Sequence, residues 1–346
     1  MGTPLSQRKK DRIVEQYHKI GGFSLPWRQA AARLGLPEAT LRDVLKRSGA
    51  VREERDDPLI SAPDIPDDDL PIEEIIEIRK REFAQKKKHE EATKLIPIKI
   101  GVSGTIGVLH FGDPHVDDDG TDIALLEAHA KLTHQDGIFG ANVGDTTNAW
   151  VGRLARLYAN QGTTRKQAIL IAEWFIKLVR WGYMVGGNHD GWAGDDDPIK
   201  WIARQASALY RPSEARIQLV FPEGDPFTIN ARHDFAGSSQ WNPAHGPMKA
   251  VHMGVRDDLS TCGHKHVSGY GVLKDPASGR ACHALQIGSY KLFDRFAKDK
   301  GFRDQSLGPA AMTVINPALP VTHPDRCKVF WDPNEGADYV RFKRSL

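Results

Sequence analysis

Through the middle of the chain, apolar residues come in short runs that each end abruptly in polar, hydrogen-bonding residues. Ile106-Gly-Val-Leu-His-Phe, Ile138-Phe-Gly-Ala-Asn-Val, Phe227-Thr-Ile-Asn-Ala-Arg and Leu259-Ser-Thr-Cys are too short for helices and predict buried strands. The longer run Phe175 to Val185 predicts a helix followed by a buried strand that stops at Gly186-Gly187. Ile96 to Ile100 predicts a further strand, and Ile123 to Leu132 and Pro198 to Ala208 predict helices. Ile287 to Arg295 reads as a strand leaving into a polar turn. Cys327-Lys-Val-Phe-Trp and Tyr339-Val-Arg-Phe predict a closing hairpin around Asn334-Glu-Gly.

The first 52 residues have a different pattern. A helix from about Asp11 carries Ile13, Val14, Tyr17 and Ile20 on one stripe and ends at Gly21-Gly22. A second, Trp27 to Leu34, stops at Gly35. A third, Glu38 to Arg47, buries Leu41, Val44 and Leu45 and stops at Gly49. Two short helices joined by a tight glycine-containing turn make a helix-turn-helix pattern, with Ala31 small enough for the crossing. Residues 53–70 are acidic and proline-rich and predict a flexible linker. Residues 71–95 predict a connecting helix, acidic early and basic late, with a narrow apolar stripe of Ile72, Ile75, Ile76 and Phe83. Residues 96–346 form the remaining domain.

Composition narrows the class. The 346 residues are 40% hydrophobic and 27% charged, and contain no apolar run near the 18 residues a membrane helix needs. The N-terminus has no signal-like apolar core. Cys262, Cys282 and Cys327 show no paired spacing, which argues for a reducing, cytoplasmic setting without disulfides or a thiolate zinc site. The overall charge of +2 says little, but residues 1–52 hold eleven Lys or Arg against four Asp or Glu. Thr40, Arg42, Lys46 and Arg47 lie on the outer face of the third helix, where a recognition helix would meet DNA. A three-helix bundle that binds protein has the same pattern.

The chemistry sits where the strands end. Asp113-Pro-His115, Gly144-Asp145, Asn188-His189-Asp190, His233 and Gly263-His264-Lys-His266 each follow an apolar run. Alternation along an extended chain puts Asp113 and His115 on one side, and likewise His264 and His266. Imidazoles and carboxylates without thiolates suit Mn, Fe or Zn, and seven candidate ligands exceed one tetrahedral shell, so two ions are the natural count. Asp190 is placed to hydrogen-bond the His189 imidazole and fix its tautomer. His245 rivals His233 as ligand. Arg153, Lys291, Asn148, His245 and Tyr290 lie close to these motifs in sequence and are candidate substrate contacts. The loop Gly237 to Pro243, carrying Trp241, is a candidate stacking surface.

In order and type these motifs resemble the calcineurin-like metallophosphoesterases, over roughly Ile98 to Ala311. The resemblance implies a four-layer α/β/β/α sandwich, here preceded by a small all-α helix-turn-helix domain. It implies two divalent cations, Mn²⁺ foremost with Fe or Zn as alternatives. Asp113, His115 and His266 would hold the first ion, Asn188, His233 and His264 the second, and Asp145 both. The implied reaction is phosphoester hydrolysis by a metal-bound hydroxide, with His189 protonating the leaving oxygen. Related phosphatases often carry Asp-X-X-Asp where this chain has Asp145-Thr-Thr-Asn148, which weakens a protein-phosphatase assignment. A basic helix-turn-helix tethered to such a site points to a nuclease acting on DNA, of the kind found in phage and prophage. The alternatives are a phosphomonoesterase acting on protein or nucleotide, or a DNA-binding module with a vestigial metal site.

Overall fold

The computed structural model describes residues 5–50, 69–192, 194, 197–293, 298, 301 and 304–346; the side chains of Arg153 and Asn160 also lie outside the described residues. The linker 53–70, apart from Asp69 and Leu70, therefore lies outside them, as does Arg295. The chain divides into two units, Met1–Ile76 and Glu77–Leu346.

In the first unit, α1 (Gln7–Lys19), α2 (Trp27–Arg33) and α3 (Glu38–Arg47) pack Ile13, Tyr17, Ala30, Ala31, Leu41, Val44 and Leu45 into a small core. Helix α1 starts four residues earlier than the apolar stripe predicts, because its first turn is polar and exposed. Gly22 lies flat on the Tyr17 ring, where a Cβ would stand 2.4 Å from the ring carbons. On α3, Thr40 is half-buried, while Arg42 and Arg47 pair with Glu38 and Asp43 one turn back, at 2.8 Å each. Arg42 also lies 4.9 Å over the Trp27 ring. Only Lys46 of the three cations on that face is shown without an acidic partner on its own helix.

Helix α4 (Ile72–Ala92) buries none of its residues. The second unit then builds two six-stranded mixed sheets from β1 (Ile96–Lys99), β2 (Ile106–Phe111), β3 (Ile138–Asn142), β4 (Trp181–Val185), β5 (Tyr210–Arg211), β6 (Glu214–Val220), β7 (Phe227–Arg232), β8 (Leu259–Cys262), β9 (Gly269–Lys274), β10 (Ala281–Gln286), β11 (Ala310–Ile315) and β12 (Cys327–Phe330). The first sheet runs β12-β11-β2-β3-β4-β5, with β2, β3, β4 and β5 parallel. The second runs β1-β6-β7-β8-β10-β9, with β7, β8 and β10 parallel.

Inner faces of the two sheets meet: Val108, Ala141, Val143 and Val185 of the first pack with Ile217, Ile229, Leu259 and Leu285 of the second. The other face of the first sheet, with Leu109, Phe111, Met312 and Val314, is covered by α5 (Ile123–Leu132), α6 (Arg165–Leu178), α8 (Pro198–Gln205) and α10 (Pro333–Ser345), and the single turn α7 (Asn188–Gly191) follows β4. Helix α9 (His245–Met253) packs on β8, β9 and β10 of the second sheet. The layers are thus helices, sheet, sheet, helix. β2 is buried along its whole length, which is why its sequence is a continuous apolar run rather than an alternating one. The helices start where their sequences say they should: Asp122 caps α5, Thr164 and Gln167 form a capping box on α6, and Asp197-Pro198 opens α8.

Two expectations are corrected. The C-terminal hairpin is a strand followed by a helix, α10. Asp332 caps it by accepting from Asn334 N, and Pro333 takes its first position. Gly336, Ala337 and Val340 then face inward at helical spacing, Gly336 so close that a Cβ would sit 2.9 Å from Met312. The run Tyr339-Val-Arg-Phe misled because it is too short to show a helical period, and half of that helix is solvent-facing. The strand expected from Ile287 ends instead at Gln286; Gly288 sits against Ser306 Oγ and the Gly308 carbonyl, and the chain turns there.

Candidate metal centre

Five loops leave the C-terminal ends of β2, β3, β4, β7 and β8, and the seven ligand-type side chains they carry come together. His233 Nε2 lies 2.9 Å from Asn188 Oδ1, 3.0 Å from His264 Nδ1 and 3.2 Å from Asp145 Oδ2. The ligand atoms of Asp145, His233 and His264 all fall within 4.8 Å of one another. Beside them, His115 Nε2 approaches His266 Nε2 at 3.3 Å and Asp145 Oδ2 at 3.9 Å, and His266 Nε2 lies 3.7 Å from Asp113 Oδ2. The Asp145 carboxylate is common to both groups. His245 starts helix α9 and is absent from these contacts, so His233 is the imidazole that meets Asn188 and His264.

The local backbone is not the extended one expected of Asp-X-His and His-X-His. Asp113, His115, Asp145, His264 and His266 have φ of 30°, 38°, 47°, 68° and 52°, five of the seven non-glycine residues at positive φ among those described. Each costs of order 1–3 kcal/mol and persists only where surrounding structure enforces it. Here the clamps are visible: His115 N donates to Asp145 O at 3.0 Å, His264 N to Asp113 Oδ2 at 2.5 Å, and His189 N to Asp145 Oδ1 at 2.9 Å. Tight turns of this kind re-aim side chains inward, doing what strand alternation does not. The motif glycines are fixed by the same crowding. A Cβ on Gly187 would stand 1.9 Å from Asp145 Oδ1, and one on Gly263 2.6 Å from Asp113 Oδ1.

Asp190 is corrected: its carboxylate does not meet the His189 ring. It is buried and accepts from Gly187 N at 2.9 Å and Thr146 N at 3.1 Å, tying the β3 and β4 loops together. His189 Nδ1 instead meets the Asn148 carbonyl at 2.5 Å, which makes Nδ1 the donor and turns Nε2 toward Asp145, 3.9 Å away. Asp190→Ala strands two buried amides, at roughly 1–3 kcal/mol each. The variant should unfold at clearly lower denaturant, and its Mn²⁺ affinity should fall about 10–100-fold. Wild-type values in a denaturation curve and a Mn²⁺ titration would show that the carboxylate is not the clamp.

Among the candidate substrate contacts, Tyr290 is fully buried and its hydroxyl meets His129 Nδ1 at 2.7 Å, so it does not face the site. Asn148 is buried too, its Nδ2 donating to Asp118 and Gln161. Both roles are structural. Lys291 does line the cleft over the centre and pairs with Asp118 Oδ2 at 3.0 Å. Arg153 belongs to a 3-10 segment, Gly152–Asn160. Trp150 and Trp192, which no sequence motif singles out, flank His189 with ring centroids 5.1 Å and 4.1 Å away. Their only sequence signal is position, each a few residues past a motif.

These residues fit a cation. His233 Nδ1 lies 3.0 Å from the Val143 carbonyl and is the natural donor to it, leaving one Nε2 to face three acceptors at once. A single hydrogen cannot serve them; a positive ion can. Among the described residues, Asp113 Oδ1 and His115 Nδ1 are buried and find no hydrogen-bond partner. Burial raises the Asp113 carboxyl to about 7. Burial works against charge on His233, yet its bond to Asp145 outweighs that and lifts the imidazole to about 10. Burial likewise opposes ionisation of Asp145, but His233, followed by His115 and His189, holds it below the usual carboxylate range. No protein-family model matches the chain, and no curated protein matches it significantly.

Proposed function

We propose that this chain is a dinuclear metal-dependent phosphodiesterase acting on DNA, built on the calcineurin-like metallophosphoesterase fold. The observation that carries the reading is the convergence of Asp113, His115, Asp145, Asn188, His233, His264 and His266 at strand ends, with imidazole nitrogens 3.0–3.3 Å apart. Asp113, His115 and His266 would hold one cation, Asn188, His233 and His264 the other, with Asp145 between. Bound there, the cations supply Lewis-acid neutralisation of phosphoryl oxygens and a strong nucleophile at neutral pH. His233, fixed through Val143, presents its Nε2 lone pair. His189, fixed through Asn148, presents Nε2 to the substrate and gives a proton to the leaving oxygen. Its burial draws the imidazole pKa down, with the Asp145 charge opposing, which makes the protonated ring a stronger acid while reducing the share of it at neutral pH. Two helix-capped layers and the order of the motifs support the family reading.

DNA as substrate rests on the basic three-helix unit. Assays of the Mn²⁺-loaded protein against a phosphodiester, a phosphomonoester and DNA separate the alternatives: preference for the monoester would replace this reading with a phosphatase. Deleting residues 1–60 should weaken DNA binding and flatten its salt dependence, since phosphate contacts carry that slope, while hydrolysis of a nitrophenyl diester persists. Unchanged DNA affinity in the truncated protein would remove the helical unit from the reading.

A further inference from the structure

The cleft over the metal centre encloses about 1440 Å³, beyond the roughly 300–1,000 Å³ of a small-molecule pocket. Its walls are aromatic at two depths. At the floor, Trp150 and Trp192 flank His189 and stand 6.3 Å from each other. Trp150 is anchored by its Nε1, which donates to Gln161 Oε1 at 3.0 Å. At the rim, Trp241 is 91% exposed and Phe293 69% exposed. Aromatic rings left this open beside a reactive centre mark a binding surface. Of the three lysines lining the cleft among the described residues, Lys265 pairs with Asp234 at 3.1 Å, Lys291 pairs with Asp118 at 3.0 Å, and Lys298 lies 5.6 Å over the Phe293 ring.

Building on the phosphodiesterase reading, we propose that this cleft selects single-stranded nucleic acid, stacking unpaired bases on Trp241 at the rim and on Trp150 and Trp192 beside the scissile phosphate. The reason is geometric. A duplex hides its base faces in its own stack and presents only phosphates and groove edges to a wall. Aromatic faces this open have much to offer exposed base faces, which a duplex does not present. Stacking does not depend on which base is present, so the cleft reads strandedness and not sequence.

Trp241 is the test position, because a side chain this exposed is not needed for folding. Trp201, on α8 and 62% exposed, does not line the cleft and serves as control. The substrates for the Mn²⁺-loaded full chain are an oligothymidylate, the same strand paired with its complement, and a nitrophenyl diester. The single strand should show a kcat/KM at least about tenfold above the duplex. Trp241→Ala should raise KM for the strand on the order of tenfold, from one lost base stack. Trp241→Phe should restore most of that loss, and Trp201→Ala should match wild type. Fluorescence anisotropy of a labelled oligothymidylate on metal-free protein, where nothing is cleaved, should show the same ordering of affinities. Equal kcat/KM for strand and duplex, or Trp241→Ala matching Trp201→Ala in both rate and binding, would overturn the proposal even if the diester is hydrolysed. Binding through Trp241 without hydrolysis of any diester would instead uphold the cleft and sink the phosphodiesterase reading.

Discussion

Asp145→Ala is expected to empty the centre of both cations, a larger loss than any other single ligand causes. Its carboxylate is the contact shared by the two groups: Oδ2 lies 3.2 Å from His233 Nε2 and 3.9 Å from His115 Nε2. Its Oδ1 accepts from His189 N, holding the β4 loop in place. The substitution therefore removes a ligand from each ion and loosens the turn that presents Asn188 and His189. Metal affinity should fall by more than the roughly 10–100-fold that losing a group behind a ligand costs. Asp113→Ala touches one group only and should keep more metal. Elemental analysis after equilibration with Mn²⁺ distinguishes the two; two equivalents retained in Asp145→Ala would sink the bridging role.

His189→Asn carries the second large effect. The alkoxide leaving from a sugar is a strong base and needs a proton as the bond breaks, whereas nitrophenolate does not. His189 is aimed for that transfer by the Asn148 carbonyl on Nδ1 and held between Trp150 and Trp192. The variant should lose about 10²–10⁴-fold in kcat on DNA and far less on a nitrophenyl diester, with metal content near wild type. Equal losses on both substrates would make His189 a positioning residue and not the acid. Loss of metal would mean that the roles of Asn188 and His189 are wrongly divided.

What could be read from the sequence was what local pattern controls. β2, β3, β7 and β8 were visible because each is an apolar run cut off by a polar motif, and the motif residues named there are the ones that meet in space. The three N-terminal helices were visible from their stripes and terminal glycines. What escaped depends on contacts distant in sequence. The left-handed turns at Asp113, Asp145 and His264 are enforced by backbone bonds across loops, and no residue type announces them. Asp190 looked like a partner for its neighbour, yet its carboxylate accepts from Gly187 N and Thr146 N, the latter 44 positions away. Tyr290 and Lys291 looked equivalent; one is buried against His129 and the other lines the cleft. Helix α10 was missed because the four residues Tyr339-Val-Arg-Phe are too few to show a helical period and Asn334-Glu-Gly before them looks like a turn. The edge strands β5 and β9 carry too little apolar pattern to be seen.

The motif glycines were legible as turn residues but not for their reason. Gly187 and Gly263 are close-approach positions, where a methyl group would enter the space of Asp145 and Asp113.

The measurement that decides between a working dinuclear centre and a vestigial one is the hydrolysis rate of a nitrophenyl diester as Mn²⁺ is added to metal-free protein. The rate should stay low through the first equivalent, rise to its plateau with the second, and vanish on chelation. A rate that ignores Mn²⁺, or that reaches its plateau at one equivalent, would contradict a dinuclear phosphodiesterase.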